Sequence, residues 1–447
     1  MVEFTRRESL ALGLAAASIP ILGAGRAQAA VDDVPTKSVT QLEYKLEKGA
    51  TLSVLRPAKF VAADEKYWNI NTAAYTKATG IDVKTSFLSW EDMRPQEAVT
   101  ANTGAGPDMI VGFGSDPQIY ASKVHDMSDL AEYLGTKYGG WYNLAKLYGT
   151  KWGTKDWIGI PMGGSSGPCA YRVSWVKEAG YSKIPDDLEG FLTLCEKLQK
   201  AGHPAGASLG HAVGDANAFA NWLLWTHGAY LVDEEGKMAI DSKETVAALK
   251  YATRLQKTFI PGTLSWNDSG NNKAYAAGEI GLTFNGVSIY FANRFSPNEA
   301  QQAIAEDTFF QLAPKGMAHT TPESALVLSA MVFKHTKYPN AAKDFVRFMM
   351  EKDQYGPWLS ACLGYWSEPL DAYSKMKFWT ENPRLQAFRG AMDTQFYDGY
   401  KGPISPASSA VAANYTVVDM FASVASGAAS PESAVKLAAS QAQRYYG

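Results

Sequence analysis

Asp108-Met109-Ile110-Val111-Gly112 is a short apolar run, preceded by the breaker Asn102-Thr103-Gly104-Ala105-Gly106-Pro107. Bounded this way, it reads as a strand buried on both faces. Toward the N-terminus, helical spacing occupies residues 91–101, interrupted early by Pro95. Before it, Ile81-Asp82-Val83-Lys84-Thr85 alternates as a strand. Residues 64–78 carry another helical pattern that stops at Thr79-Gly80, and Thr51-Leu52-Ser53-Val54-Leu55 is a further apolar strand. The order strand, helix, strand, helix, strand predicts an α/β fold, a parallel sheet with helices on both faces. Ligands of such sheets lie beyond the carboxyl ends of the strands.

Toward the C-terminus, composition shifts at Trp157-Ile158-Gly159-Ile160-Pro161-Met162-Gly163-Gly164-Ser165-Ser166-Gly167-Pro168. An apolar strand running into a Gly/Ser/Pro segment in mid-chain is a candidate crossing between domains. Helical patterns resume at residues 173–179 and 187–200, the second announced by Pro185-Asp186. Val246, Leu249, Ala252 and Leu255 also recur at helical spacing. The last helix is expected to begin at Ser430-Pro431-Glu432, with Ser as N-cap and Pro at the first helical position.

At 447 residues the chain is too long for one ordinary core, and 46% hydrophobic with 12% aromatic content excludes a disordered protein. Two domains are expected. Forty-two basic against 45 acidic side chains leave no surplus for a phosphate backbone, so no nucleic acid partner is expected. Residues 1–29 read as a cleaved export signal. Arg6-Arg7 precede an uncharged stretch interrupted by Pro20, and Ala27-Gln28-Ala29 is a small-x-small cleavage site. The stretch is too short and too weakly apolar to serve as a membrane anchor. Thr5-Arg6-Arg7-Glu8-Ser9-Leu10 resembles a twin-arginine signal, departing from it at Ser9 and Ala11. A periplasmic location follows. Of the three cysteines, Cys195 shares a helical face with Phe191, Leu194 and Leu198 and reads as a buried thiol. A Cys169–Cys362 bridge is open but not indicated.

Several stretches carry a family resemblance in their order. Trp157-Ile158-Gly159-Ile160-Pro161 looks like a Tyr-Gly-x-Pro crossing segment. Ala170-Tyr171-Arg172 through Lys177-Glu178-Ala179-Gly180 looks like a Tyr-Asn-Lys…Ala-Gly helix, and Ile184-Pro185-Asp186 to Leu198 like a Pro-x-Thr-Trp helix. Ala274-Tyr275-Ala276-Ala277-Gly278-Glu279-Ile280-Gly281-Leu282-Thr283-Phe284-Asn285-Gly286 and Pro339-Asn340-Ala341-Ala342-Lys343-Asp344-Phe345-Val346 continue the series. Over residues 52–446 the chain thus resembles the extracellular solute-binding proteins of ABC importers, in the sugar-binding group that includes maltose-binding protein. There are departures. Asp187-Leu188 replace Thr-Trp, Arg172 replaces Asn, and Ser288 stands where maltose-binding protein stacks a Trp. Maltodextrin itself is therefore not implied.

The resemblance implies a two-lobe periplasmic-binding-protein fold with interleaved lobes, hinge strands and a ligand cleft between them. Crossings would fall near Pro161, near Leu312-Ala313-Pro314 and near residues 355–360. The N-terminal lobe would take residues 30–161 plus 313–356, and the C-terminal lobe residues 162–312 plus 357–447. The implied function is capture of a mono- or oligosaccharide or polyol by lobe closure, and delivery to an inner-membrane ABC permease with its ATPase. A monomer without cofactor, metal site or catalytic activity is expected.

A neutral sugar offers flat C–H faces and a ring of hydroxyls, so its site wants aromatic planes with Asp, Glu and Asn acceptors. Micromolar binding needs about 8 kcal/mol beyond the cost of association, so clusters count for more than single residues. Phe113 and Asp116 follow the buried strand and correspond to an aromatic and a carboxylate that the family places there. Asp116-Pro117 would equally start a helix. By the same resemblance Asn217 and Trp222 reach the cleft from Asn217-Ala218-Phe219-Ala220-Asn221-Trp222, with Trp225 as an alternative core partner. Trp266, Asp268 and Asn271 come from Ser265-Trp266-Asn267-Asp268-Ser269-Gly270-Asn271-Asn272, where a turn explains the Asn and Gly but not the Trp. Asn285, the pair Trp366 and Glu368, and the pair Trp90 and Glu91 complete the candidates. Gly163-Gly164-Ser165 would serve as a flexible hinge or offer backbone N–H groups.

Two rival readings stand beside this one. A glycoside hydrolase needs two carboxylates about 5–10 Å apart across the scissile bond, such as Asp116 facing Glu368, yet no nucleophile elbow, phosphate loop or metal-spaced His pattern occurs. A charged solute would need other partners, Arg56 or Arg94 for a phosphorylated polyol and several carboxylates for a polyamine. The uncharged Asn, Ser and Trp loops favour a neutral sugar or polyol.

Overall fold

The expected alternation sets β1 (Thr51–Pro57), β2 (Asp82–Leu88) and β3 (Met109–Phe113) side by side in the computed structural model, which describes residues 34–447 apart from 319, 325, 394 and 395. The export signal read at residues 1–29 lies outside the described residues. All three strands run parallel, with Thr51 opposite Asp82 and Val54 opposite Met109. The connecting helices follow local signals. Ala62–Thr79 stops at Gly80, whose left-handed backbone (φ 75°) lets its N–H reach the Thr76 carbonyl. Trp90–Thr103 starts on Ser89, whose hydroxyl accepts the Asp92 N–H, and it keeps Pro95 within the helix.

The sheet is completed by a strand from far along the chain. β8 (Leu326–Val332) inserts antiparallel between β3 and β4 (Ile160–Ser165), giving the order β2-β1-β3-β8-β4. Beyond Ser166-Gly167-Pro168 the chain enters a second sheet. There β5 (Cys169–Arg172) is flanked antiparallel by β6 (Leu282–Phe284) and β7 (Thr308–Gln311). From β7 the chain returns to β8 in the first sheet. Each sheet is therefore built from separated stretches of sequence, and two apolar clusters pack around them, the first also taking in Ala170 of β5 and Phe310 of β7. Trp68, Tyr75, Phe345, Trp358 and Trp366 belong to the first; Phe191, Cys195, Trp222 and Phe284 belong to the second. Cys169, Cys195 and Cys362 are all free and buried.

The glycine pair read as hinge or ligand donor lies inside β4. A Cβ on Gly163 would come within 3.0 Å of the Trp366 Cβ. Gly164 and Ser367 exchange both backbone hydrogen bonds, at 3.0 and 2.7 Å. The Gly164 N–H is thereby engaged within the protein, and glycine permits the close approach of the 366–367 segment.

Two buried ion pairs hold the strand ends. Arg56, at the end of β1, donates to Asp64 at 2.7 Å under the Trp68 ring, and Trp358 Nε1 donates to the other Asp64 oxygen at 2.9 Å. Arg94 donates to both oxygens of Asp116 at 3.1 and 3.3 Å, and the Phe113 N–H adds a bond at 3.1 Å. Glu97 packs over the strand so tightly that a Cβ on Gly112 would meet its Oε1 at 2.6 Å. Burial, and then the Asp116 charge, push the Glu97 carboxyl well above the carboxylate range, against a smaller pull from Arg94. Glu97 is therefore the protonated member, while Asp116 keeps the charge that Arg94 balances. An acid whose folded-state pKa is raised stabilises fully below its unfolded pKa, about 4.3, and loses that contribution as pH rises toward the folded value. Glu97→Gln mimics the protonated acid at every pH. The variant should match wild type in urea denaturation near pH 4 and become progressively more stable than wild type above it, by at most about 1.4 kcal/mol per pH unit. A difference independent of pH would contradict this protonation state.

Candidate functional site

The first sheet's strand ends and the second lobe's helix starts meet across a cavity. On the first-lobe side lie Phe60, Trp90, Leu326 and Tyr365; on the other lie Asp215, Ala218, Asp268, Asn272, Asn285 and Ser288. Ser165, at the end of β4, and Ser166 and Gly167, on the segment joining β4 to β5, line it between them. This is where a parallel sheet presents its ligands. A second cavity adjoins it, sharing Gly167, Asp215, Ala218 and Ser324 and adding Phe219, Trp222, Phe284 and Glu323.

The first-lobe wall is a fitted aromatic stack. Trp90 opens its helix just beyond β2, and its Nε1 donates to the Ala58 carbonyl at 3.0 Å. Phe60 meets its ring edge-on at 4.9 Å, and Phe113 supports it from the protein interior at 4.7 Å. Both contacts restrict the indole to one orientation.

The opposite wall is organised by Asp268. Its carboxylate accepts the N–H groups of Val213 at 2.6 Å and of Gly214 and Asp215 at 2.9 Å each. These lead into the helix Asp215–Thr226, whose N-cap Gly214 has no side chain to cap with, so Asp268 caps it from another segment. Asp215 in turn accepts the Asn271 amide on Oδ2 at 2.6 Å, and Asn271 also donates to the Phe284 carbonyl. Asn272, Asn285 and Ser288 bond to one another at 3.1–3.4 Å. Burial raises the carboxyls of both Asp215 and Asp268, with the Asp268 charge adding to the rise at Asp215 and backbone N–H donors opposing it at Asp268. The better-donated Asp268 carries the charge, and Asp215 takes up a proton first.

Of the residues singled out from sequence, Trp90, Asp268 and Asn285 line the main cavity. Asn271 stands behind Asp215, and Glu91 is exposed but close enough to raise the Asp268 carboxyl. Trp222 lines the adjoining cavity from a core position, with Nε1 donating to the Pro314 carbonyl at 2.9 Å. The others lie elsewhere. Phe113 is beneath Trp90, and Asp116 is engaged by Arg94. Asn217 donates to Val213 and Ala412 carbonyls beside a separate cavity. Trp266 lies over Gly206 and Gly270, where Cβ atoms would come within 2.9 Å of it. Trp366 is buried against Trp358, and Glu368 is buried, with burial pushing its carboxyl up to about 8.

Phe60, Asp215, Asn272, Ser288 and Tyr365 line the cavity without having been chosen. Tyr365 was one residue from a chosen Trp, and Asp215 resembles any acid in a helix's first turn. Arg56 and Arg94, the cations an anionic ligand would require, are paired with Asp64 and Asp116 and line neither cavity. Among the described residues no group of three or more His, Cys, Asp or Glu side chains could hold a metal ion.

Structural comparison finds the same architecture at low sequence identity. A solute-binding protein of an ABC transporter from Thermotoga lettingae TMO, solved with α-D-tagatose, superposes with TM-score 0.74 at 17% identity, covering 89% of this chain and 100% of its own. The maltose-bound MalE3 of T. maritima gives 0.72 at 15%, over 89% and 100%. A ribitol complex from Agrobacterium radiobacter K84 gives 0.70 at 16%, over 89% and 98%. No match is found among curated protein sequences. The profile of the bacterial extracellular solute-binding protein family matches residues 72–387, and with the two-lobed fold and its interlobe cavity it establishes that the chain belongs to that family.

Proposed function

We propose that this protein captures a carbohydrate or polyol in the cavity between its lobes and hands it to an inner-membrane ABC permease with its ATPase. The observation that carries the reading is the pairing of a fixed Trp90 face with the Asn272–Asn285–Ser288 network and the Asp215 carboxyl across one cavity. Aromatic faces suit sugar C–H surfaces, contributing roughly 0.5–1.5 kcal/mol beyond area burial. Each hydroxyl met by an amide or carboxyl adds about 0.5–1.5 kcal/mol. Solute-binding relatives solved with tagatose, maltose and ribitol support the same class.

The two lobes would close about the connections from β4 to β5 and from β7 to β8. Stoichiometric capture by a monomer, without turnover, fits the wall chemistry. Asp215 and Asp268 lie on one wall, joined through the Asp215 N–H, and the facing wall presents aromatic and aliphatic side chains. A glycosidase would need carboxyls on both sides of the bond. Arg6-Arg7 ahead of the uncharged stretch support twin-arginine export to the periplasm.

A thermal-shift panel of sugars, polyols and sugar phosphates should give a rise in melting temperature for a sugar or polyol, since ligand stabilises by mass action. In titration with that ligand, Trp90→Ala and Asp215→Ala should each weaken binding at least tenfold, about 1.4 kcal/mol. Trp266→Ala should not. Equal affinity in the first two variants, or release of hydrolysis products, would contradict the reading. For export, Arg6→Lys with Arg7→Lys should leave unprocessed precursor in the cytoplasm; processed protein in the periplasm at wild-type level would contradict the twin-arginine route.

A further inference from the structure

The two joined cavities are one-sided in charge. Asp215 and Asp268 line them, and among the described residues no Lys, Arg or His does. Burial favours the protonated Asp215 carboxyl, and a cation placed beside it would hold it ionised as its counter-charge. Polar groups aimed at the space remain open. Asp215 engages Asn271 through Oδ2, and its Oδ1 accepts no hydrogen bond from the described residues. Ser166 is 4% exposed, lines the same cavity, and its buried Oγ has no partner among the described residues. Facing them, Trp90 offers an aromatic surface that attracts cations as well as sugar C–H groups.

An ammonium group fits each of these features. It brings donors for Asp215 Oδ1 and the Ser166 hydroxyl, supplies the missing positive charge, and forms a charge-assisted bond about twice as strong as a neutral one. The Asn272–Asn285–Ser288 network, by contrast, is uncharged and suited to hydroxyls. We propose that the captured solute is a polyhydroxylated cation, an amino sugar or aminocyclitol, with its ammonium on Asp215 and its hydroxyls on the Asn272–Asn285–Ser288 network. This assignment rests on the carbohydrate-capture reading and narrows it.

Calorimetric titration at pH 7 and low salt with matched sets tests it: glucosamine, glucose and N-acetylglucosamine, the galactose and mannose equivalents, and spermidine. In at least one set the amine should bind tenfold or more tightly than the hydroxyl form, and N-acetylation should cancel the gain. Asp215→Asn, checked for folding by thermal melting, should remove the gap between amine and hydroxyl. Hydroxyl forms binding as tightly as amines, or more tightly, would overturn the cation assignment and leave carbohydrate capture standing. Failure of every sugar, charged or neutral, whether or not spermidine binds, would overturn the carbohydrate reading and this assignment with it.

Discussion

The Asp268 carboxylate, holding three consecutive backbone N–H groups at the start of the helix Asp215–Thr226, is the interaction on which the site depends. Those N–H groups have no intrahelical partners, and the helix dipole favours an anion beside them. Because Asp268 comes from a different stretch of chain, the same bonds tie the segment before the helix Gly270–Ala276 to the mouth of the cavity. Asp215 is thereby set facing the space, with Asn271 behind it and Asn272 beside it. Without this cap, the second lobe's wall would have three buried donors and no defined position for its main acceptor.

The first lobe contributes rigidity of another kind. Trp90, Phe60 and Phe113 meet just beyond the strand ends, and the buried Arg56–Asp64 and Arg94–Asp116 pairs hold the loops beneath them. Breaking one partner of such a pair costs about 3–5 kcal/mol, so these arginines are poor candidates for a ligand that comes and goes. Their engagement leaves carboxyls, amides, hydroxyls and aromatic rings to line the cavity. The charge balance of the site thus follows from packing inside the first lobe.

Much of the fold was legible because its signals are local. Gly80 as a helix stop, Ser430 as an N-cap, and the all-apolar β3 each mark their own element within a few residues. The insertion of β8 between β3 and β4 was not legible from periodicity, since an apolar strand carries no label for its partner. In the site, Trp90, Asp268 and Asn285 were readable as polar or aromatic residues at element ends. Phe113 and Asp116 occupy the loop that topology favours, yet Trp90 above one and Arg94 beside the other turn both side chains inward. Tyr365 and Trp366 show the finest limit: their rings meet at 4.8 Å, yet only Tyr365 lines the cavity, and nothing local tells the two neighbours apart.

The most direct test is a crystal structure of the complex with the tightest-binding saccharide or polyol. The account predicts one unaltered solute molecule between Trp90 and Tyr365 on one side and Asp215, Asn272 and Asn285 on the other, with Asp268 still bound to its three N–H groups. A solute seated outside this cavity, or one found cleaved within it, would contradict it.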